Sequence, residues 1–161
     1  MVKFYCGAFV GFWERKIAMI IETRDFGKMD ISEEGILEFK LPILGFEDQK
    51  QFVILYDDEM GDSLAWLQSV TDKNTCFIII DPTILVSDYR PNLPEDALKK
   101  IDVSLDDVAL RCLMVVPSDI TAATVNLKSP LIINPAKKLA AQVVLDADYP
   151  IRACISSFEG V

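Results

Sequence analysis

Four cysteines, 25 carboxylates and no histidine define the side-chain chemistry open to this sequence. Without an imidazole, proton transfer near neutral pH would fall to a carboxylate, lysine or cysteine with a displaced pKa. Cys6, Cys76, Cys112 and Cys154 are widely spaced and form no CxxC pair, which removes the common zinc and dithiol patterns together. Free thiols in a reducing cytosol are the expectation. The seven glycines are scattered singly, so no phosphate-cradling loop, dinucleotide fingerprint or nucleophile elbow is present. The acidic run Asp57-Asp58-Glu59-Met60-Gly61-Asp62 lacks the alternating carboxylates and later glutamate of a calcium loop, and reads as a solvated connection. Asp106-Asp107 reads the same way. Abundant acid is the sole support for a carboxylate hydrolase, since no nucleophile, metal set or cofactor motif accompanies it. No catalytic residue, metal or cofactor is expected, and the chain is read as a binding protein.

The charge balance bears on what it could bind. Sixteen basic side chains against 25 acidic ones leave a net charge of −9, which opposes nucleic acid and anionic membranes and favours a cationic partner. Lys137-Lys138 is too short a run to be a nucleic-acid patch. The apolar stretch from Phe4 to Trp13 is half the length needed to cross a bilayer. Phe12-Trp13-Glu14-Arg15 stands where a secretory signal would place small residues for cleavage. Residues 1–18 read as an atypical extension, with Met19 expected as the initiator because a regular strand pattern begins at Ile20. Mass spectrometry of the native N-terminus tests this, and an intact Met1 or Val2 terminus would remove the idea.

The elements that must position any binding residue are strands. Short Val/Ile/Phe/Leu runs alternate with turn residues from Ile20 onward. Strands are expected at Ile20–Thr23, Met29–Ile31, Ile36–Phe39, Phe52–Tyr56, Ala65–Val70, Cys76–Asp81, Leu110–Val116, Thr124–Leu127, Leu131–Asn134 and Leu139–Leu145, with a hairpin turn at Phe26-Gly27-Lys28. Pro94–Lys100 predicts a short helix, with proline and acids first and lysines last. Further helical turns are expected at Gly45–Gln51 and at Ser104–Asp107. No repeat is visible, and Pro91–Pro94 is the one internal punctuation. The fold class is therefore mainly β: an antiparallel β-barrel-like single domain, residues 19–155, with short connecting helices and a tail at 156–161. A barrel of this kind also permits a small-molecule-binding module.

Four stretches carry a resemblance. Leu41-Pro42-Ile43-Leu44-Gly45-Phe46-Glu47 leads into Phe52-Val53-Ile54-Leu55, and Trp66-Leu67-Gln68-Ser69-Val70 precedes Phe77 to Asp81-Pro82. Asp88-Tyr89 comes before an acidic helix, and Thr124 to Asn134 continues through Gln142-Val143-Val144-Leu145 to Tyr149-Pro150-Ile151-Arg152. Together they resemble the FliW family of bacterial flagellar assembly factors, over about residues 20–155. The resemblance implies a cytoplasmic β-barrel-like protein with two partners, flagellin and the translational regulator CsrA. It also implies that the free protein binds CsrA away from its RNA surface and weakens RNA binding, until accumulated flagellin takes the factor away. Two departures stand out. Arg90 follows Tyr89 where relatives commonly carry an acid, and Thr121–Leu127 is looser than the family's compact TANL, so Asn126 and Leu127 carry over best. A factor serving flagellin alone, as a chaperone, is the alternative within the family.

The candidate partner-binding residues are Glu47, Asp81, Asp88, Tyr89, Arg90, Asn126 and Asn134. Each has a structural reading beside the functional one. Phe46 is expected in the core, and Glu47, next to a tight turn, in solvent. Asp81 ends a strand and could serve its own turn. Tyr89 offers an interface anchor or a cover for the barrel end. Asn126 and Asn134 could bond their own backbones, and only the resemblance raises them higher. Trp66, Phe77, Ile79, Val115 and Val116 are expected as core.

Overall fold

The computed structural model describes residues 18–57 and 61–157. The readings of residues 1–17 and of the end of the tail lie outside them. The first described strands, β1 (Ala18–Thr23) and β2 (Gly27–Ser32), form an antiparallel hairpin. Its turn sits where the sequence places it: Gly27 takes a φ of +69°, which glycine adopts without a Cβ penalty, and Thr23 Oγ1 donates to the Gly27 carbonyl at 2.9 Å.

The barrel follows. Its strands are β3 (Ile36–Leu41), β4 (Gln51–Tyr56), β5 (Leu64–Ser69), β6 (Cys76–Ile80), β7 (Ala109–Val115), β9 (Leu131–Asn134) and β10 (Leu139–Gln142). They pair in the order β7-β6-β5-β4-β3-β10-β9, and a β7–β9 ladder closes the ring. Closure leaves these seven strands without a free edge, as the strand-rich pattern requires. Two short strands, β8 (Thr124–Val125) and β11 (Ala153–Cys154), extend the sheet beyond the ring from the second half of β7. The barrel-like fold is as expected, with one local difference: β3 and β10 pair in parallel, while the other ladders are antiparallel.

Alternation along each strand divides the apolar side chains between the barrel interior and its outside. Leu37, Phe39, Phe52, Ala65, Leu67, Ile79, Leu131, Ile133 and Ala140 fill the interior. Val53 and Leu55 face outward and are covered by Ile21 and Ile31 of the β1–β2 hairpin. Trp66 belongs to this outer layer, partly buried, with its ring edge-on to Phe26 at 5.3 Å. A second outer layer, from Ile80, Cys112, Ile132 and Ala141, is covered by residues 85–101 and by Val143 and Leu145.

The covering segment holds α1 (Glu95–Lys100), with Glu95 and Asp96 in its first turn and Lys99 and Lys100 in its last, as predicted. Of the other two helical expectations, the single turn at Ser104–Asp107 forms, with Val108 N–H bonded to the Ser104 carbonyl at 3.1 Å, and the one at Gly45–Gln51 does not become a helix. Gly45, at φ +84°, takes a left-handed backbone that interrupts any helix at its start, and residues 44–48 form turns. At Ser104 the hydroxyl bonds Asp107 Oδ2 at 2.6 Å, closing a turn that does not continue. Val115 and Val116 are also corrected: Val115, the last residue of β7, pairs with Thr124 of β8 yet is 65% exposed, and Val116 is 39% exposed.

Candidate partner-binding surface

The two ends of the barrel are built differently. At the end where β3 and β10 finish, Gln142 occupies the inward position two residues beyond Ala140 and is buried. Its Oε1 accepts the Leu44 N–H at 2.8 Å, and its Nε2 donates to the Ser129 carbonyl at 3.2 Å. Ser129 N–H and Lys128 N–H in turn donate to Asn126 Oδ1 at 3.0 and 3.1 Å. Tyr89 Oη donates to the Leu127 carbonyl at 2.6 Å, and Leu127 N–H reaches the Pro150 carbonyl at 3.1 Å. One hydrogen-bonded chain thus ties together the turn at 43–47, the Tyr89 segment, the turn at 126–130 and the segment 143–150.

A second polar plug lies beside it. The inward hydroxyl of Ser69 donates to Gln49 Oε1 at 2.6 Å, and Thr71 Oγ1 donates to the same oxygen at 3.0 Å. Gln68, pointing outward, spreads its Nε2 over the carbonyls of Ser69, Asp72 and Thr75 at 3.0–3.2 Å, which holds the 70–75 turn.

Of the candidate residues, Glu47, Tyr89 and Asn126 meet in this arrangement. Glu47 is exposed, as expected, and its carboxylate accepts the Gly45 N–H at 2.9 Å, a bond that holds its pKa below the ordinary glutamate value. Tyr89 is corrected as an exposed anchor: it is only 3% exposed, with its ring edge-on to Tyr149 at 5.0 Å. Burial raises its pKa and that of the adjacent Cys112 thiol, which is pushed up to about 12. Its neighbours Asp88 and Arg90 are exposed. Asn126 is half-buried and bonds its own turn.

Asp81 and Asn134 lie apart from the chain of bonds. Asp81 Oδ1 accepts Thr83 N–H and Thr83 Oγ1 at 2.9 and 2.6 Å, capping the turn 82–84. Its Oδ2 faces Arg111 Nη1 at 3.4 Å. Asn134 is buried; its Nδ2 donates to the carbonyls of Ile101 and Asp102, and its Oδ1 accepts from Ala136 and Lys137 N–H. Its amide atoms are committed to the fold, so it has little to offer a partner.

What reaches solvent at this end was missed from sequence. Leu44, Val144 and Ile151 are 60%, 54% and 63% exposed. Phe46, expected in the core, is 39% exposed and leans edge-on against Phe77 at 4.8 Å. These apolar side chains stand on the tied segments among the exposed charges of Glu47, Asp48, Lys50, Arg90, Asp146, Asp148 and Arg152. Apolar groups held on rigid loops with a charged surround are what a protein-binding surface requires.

Similarity to known proteins agrees with this architecture. The family described as FliW protein matches residues 20–155.

The chain belongs to the FliW family.

It is 41% identical over 135 residues to the flagellar assembly factor FliW of Caldicellulosiruptor bescii, covering 83% of this chain and 88% of the relative. It is 43% identical over 136 residues to that of Syntrophus aciditrophicus, covering 83% and 85%. The Bacillus subtilis factor is 38% identical over 133 residues, covering 81% and 92%. A crystal structure of the flagellar assembly factor FliW superposes with a TM-score of 0.78 at 30% identity, over 85% of this chain and 96% of that one. No helix among the described residues is long and apolar enough to cross a membrane.

Proposed function

We propose that this FliW-family chain is a cytoplasmic regulatory factor of flagellum assembly that works by binding proteins, not by catalysis. Its partners in this reading are the translational regulator CsrA and flagellin. Free protein holds CsrA away from its RNA, and rising flagellin removes the factor and restores repression. The observation that carries the reading is the family match over residues 20–155. It is supported by the exposed apolar side chains on the hydrogen-bonded loops at the Gln142 end. The net charge of −9 steers the chain toward a basic, RNA-binding partner.

Calorimetric titration into cognate CsrA, alone, then with leader RNA, then with flagellin, tests the switch. The expected results are micromolar or tighter binding, weakened RNA affinity and relief by flagellin. Association with CsrA should weaken as salt rises, and an affinity unchanged between low and high salt removes electrostatic steering. Clear binding to flagellin without heat from CsrA would leave a flagellin chaperone, with Arg90 the first residue to revert to an acid.

A further inference from the structure

The opposite end of the barrel is open. Inward side chains Leu37, Ile54 and Ile133 wall a cavity of about 250 Å³ whose polar lining is Tyr56, Arg111 and Lys138. Drug-sized ligands occupy pockets of roughly 300–1,000 Å³, so this one fits something smaller. Its two cations are unusual for a mouth walled by aliphatic side chains in a chain of −9.

Arg111 alternates with Ala109 and Leu113, both packed on the interior, so its guanidinium starts from an inward position, and its side chain is 18% exposed. It donates to the Leu110 carbonyl at 2.9 Å and meets Asp81 at 3.4 Å. That is a loose contact compared with the 2.7–2.9 Å of a strong charge-assisted bond, and the same carboxylate is engaged by Thr83 through its other oxygen. Lys138 is half-buried and makes no ion pair among the described residues. It stands at φ +56°, a left-handed backbone that a residue with a Cβ rarely adopts. Two partly buried cations, one loosely compensated and one without an ion pair among the described residues, are stabilised by an anion placed between them.

We propose that this mouth binds a small amphipathic carboxylate, its apolar body against Leu37, Ile54 and Ile133 and its carboxylate between Arg111 and Lys138. Tyr56, which also lines the cavity, can donate its hydroxyl to the same anion. The site is distinct from the surface at the Gln142 end, and its occupancy does not depend on the flagellar reading.

The test is an NMR titration of the full, isotope-labelled chain with hexanoate, and in parallel with hexanol and hexylamine, without any partner protein. Hexanoate should cause saturable amide shifts confined to the starts of β3 and β7 and the ends of β4 and β9, and should bind at least tenfold tighter than hexylamine. Lys138→Asn, which tolerates the left-handed backbone, should weaken hexanoate at least fivefold and leave hexanol unchanged. Equal or tighter binding of hexylamine, shifts centred on the Gln142 end, no saturation by hexanoate, or an unchanged hexanoate affinity in Lys138→Asn would each overturn the assignment.

Discussion

At one end of the barrel an inward glutamine uses its acceptor and a donor on the backbones of two different loops. At the other, an inward arginine has one carbonyl and a loose ion pair, at 3.4 Å, with a carboxylate shared with Thr83. Both are polar side chains at positions whose neighbours are core. A neutral amide, satisfied on both sides, seals its end and fixes the loops that cross it. A cation with partial compensation cannot seal, because its desolvation is still owed a counter-charge. The contrast separates a rigid end that displays side chains outward from a receptive end that holds space inward.

Removing the seal should have the largest effect. Gln142→Ala orphans the Leu44 N–H and the Ser129 carbonyl, and a loss of about 3 kcal/mol is expected from urea denaturation, since each buried unpaired group costs ~1–3 kcal/mol. A loss below about 1 kcal/mol would mean that water replaces the amide and that the two ends do not differ in kind. Tyr89→Phe keeps the packing against Tyr149 but strips the Leu127 carbonyl of its donor, at an expected cost of about 1.5 kcal/mol.

Alkaline pH probes the same layer. The Cys112 thiol ionises near 9.0 when unfolded and at about 12 in the fold. Its contribution to stability is therefore whole below pH 9.0 and is lost as pH rises through that window. Tyr89, also raised, acts with the same sign. Cys76, raised to about 11, adds to the fall, and the share of Cys112, about 1 kcal/mol between pH 9 and 10, should disappear in Cys112→Val. At the open end the sign reverses: Lys138→Gly relieves the left-handed backbone, and a gain of about 0.5 kcal/mol is expected in the melting curve, set against glycine's extra unfolded entropy. A loss there would show that the lysine supports the fold, blurring the contrast with Gln142.

Much of this was legible in the strand pattern. Period-two alternation with closely spaced turns locates the strands that carry Phe52 and Leu67 and places Ile79 in the core, and the proline-acid-lysine order locates α1. The parallel β3–β10 ladder was not legible, because pairing between segments so distant in sequence leaves no local signal. Exposure of Val115 and Phe46 was hidden for a related reason: an apolar residue looks the same in sequence whether the fold covers it or leaves it in solvent. Among the candidate residues, Glu47, Asp88 and Arg90 reach solvent, whereas Tyr89 and Asn134 are buried. Tyr89 is turned inward to tie the Leu127 turn, Asn134 serves its own turn apart from that surface, and Gln142, legible only as part of a matched stretch, joins the Leu44 and Ser129 loops. A polar residue at an inward position of an otherwise apolar strand is the signal that could have found Gln142 and Arg111 alike.

The pairing of Glu38 with Leu139 has a consequence for how the molecule is made. During synthesis β3 emerges early and finds β4, but its other edge waits for a strand encoded near the end of the barrel. Until that strand leaves the ribosome, the nascent sheet carries an unprotected edge, open to pairing with other chains. Closure is thus a late event with a large loop to gather, and a cell making this protein quickly has reason to keep chaperones close to the last third of its translation.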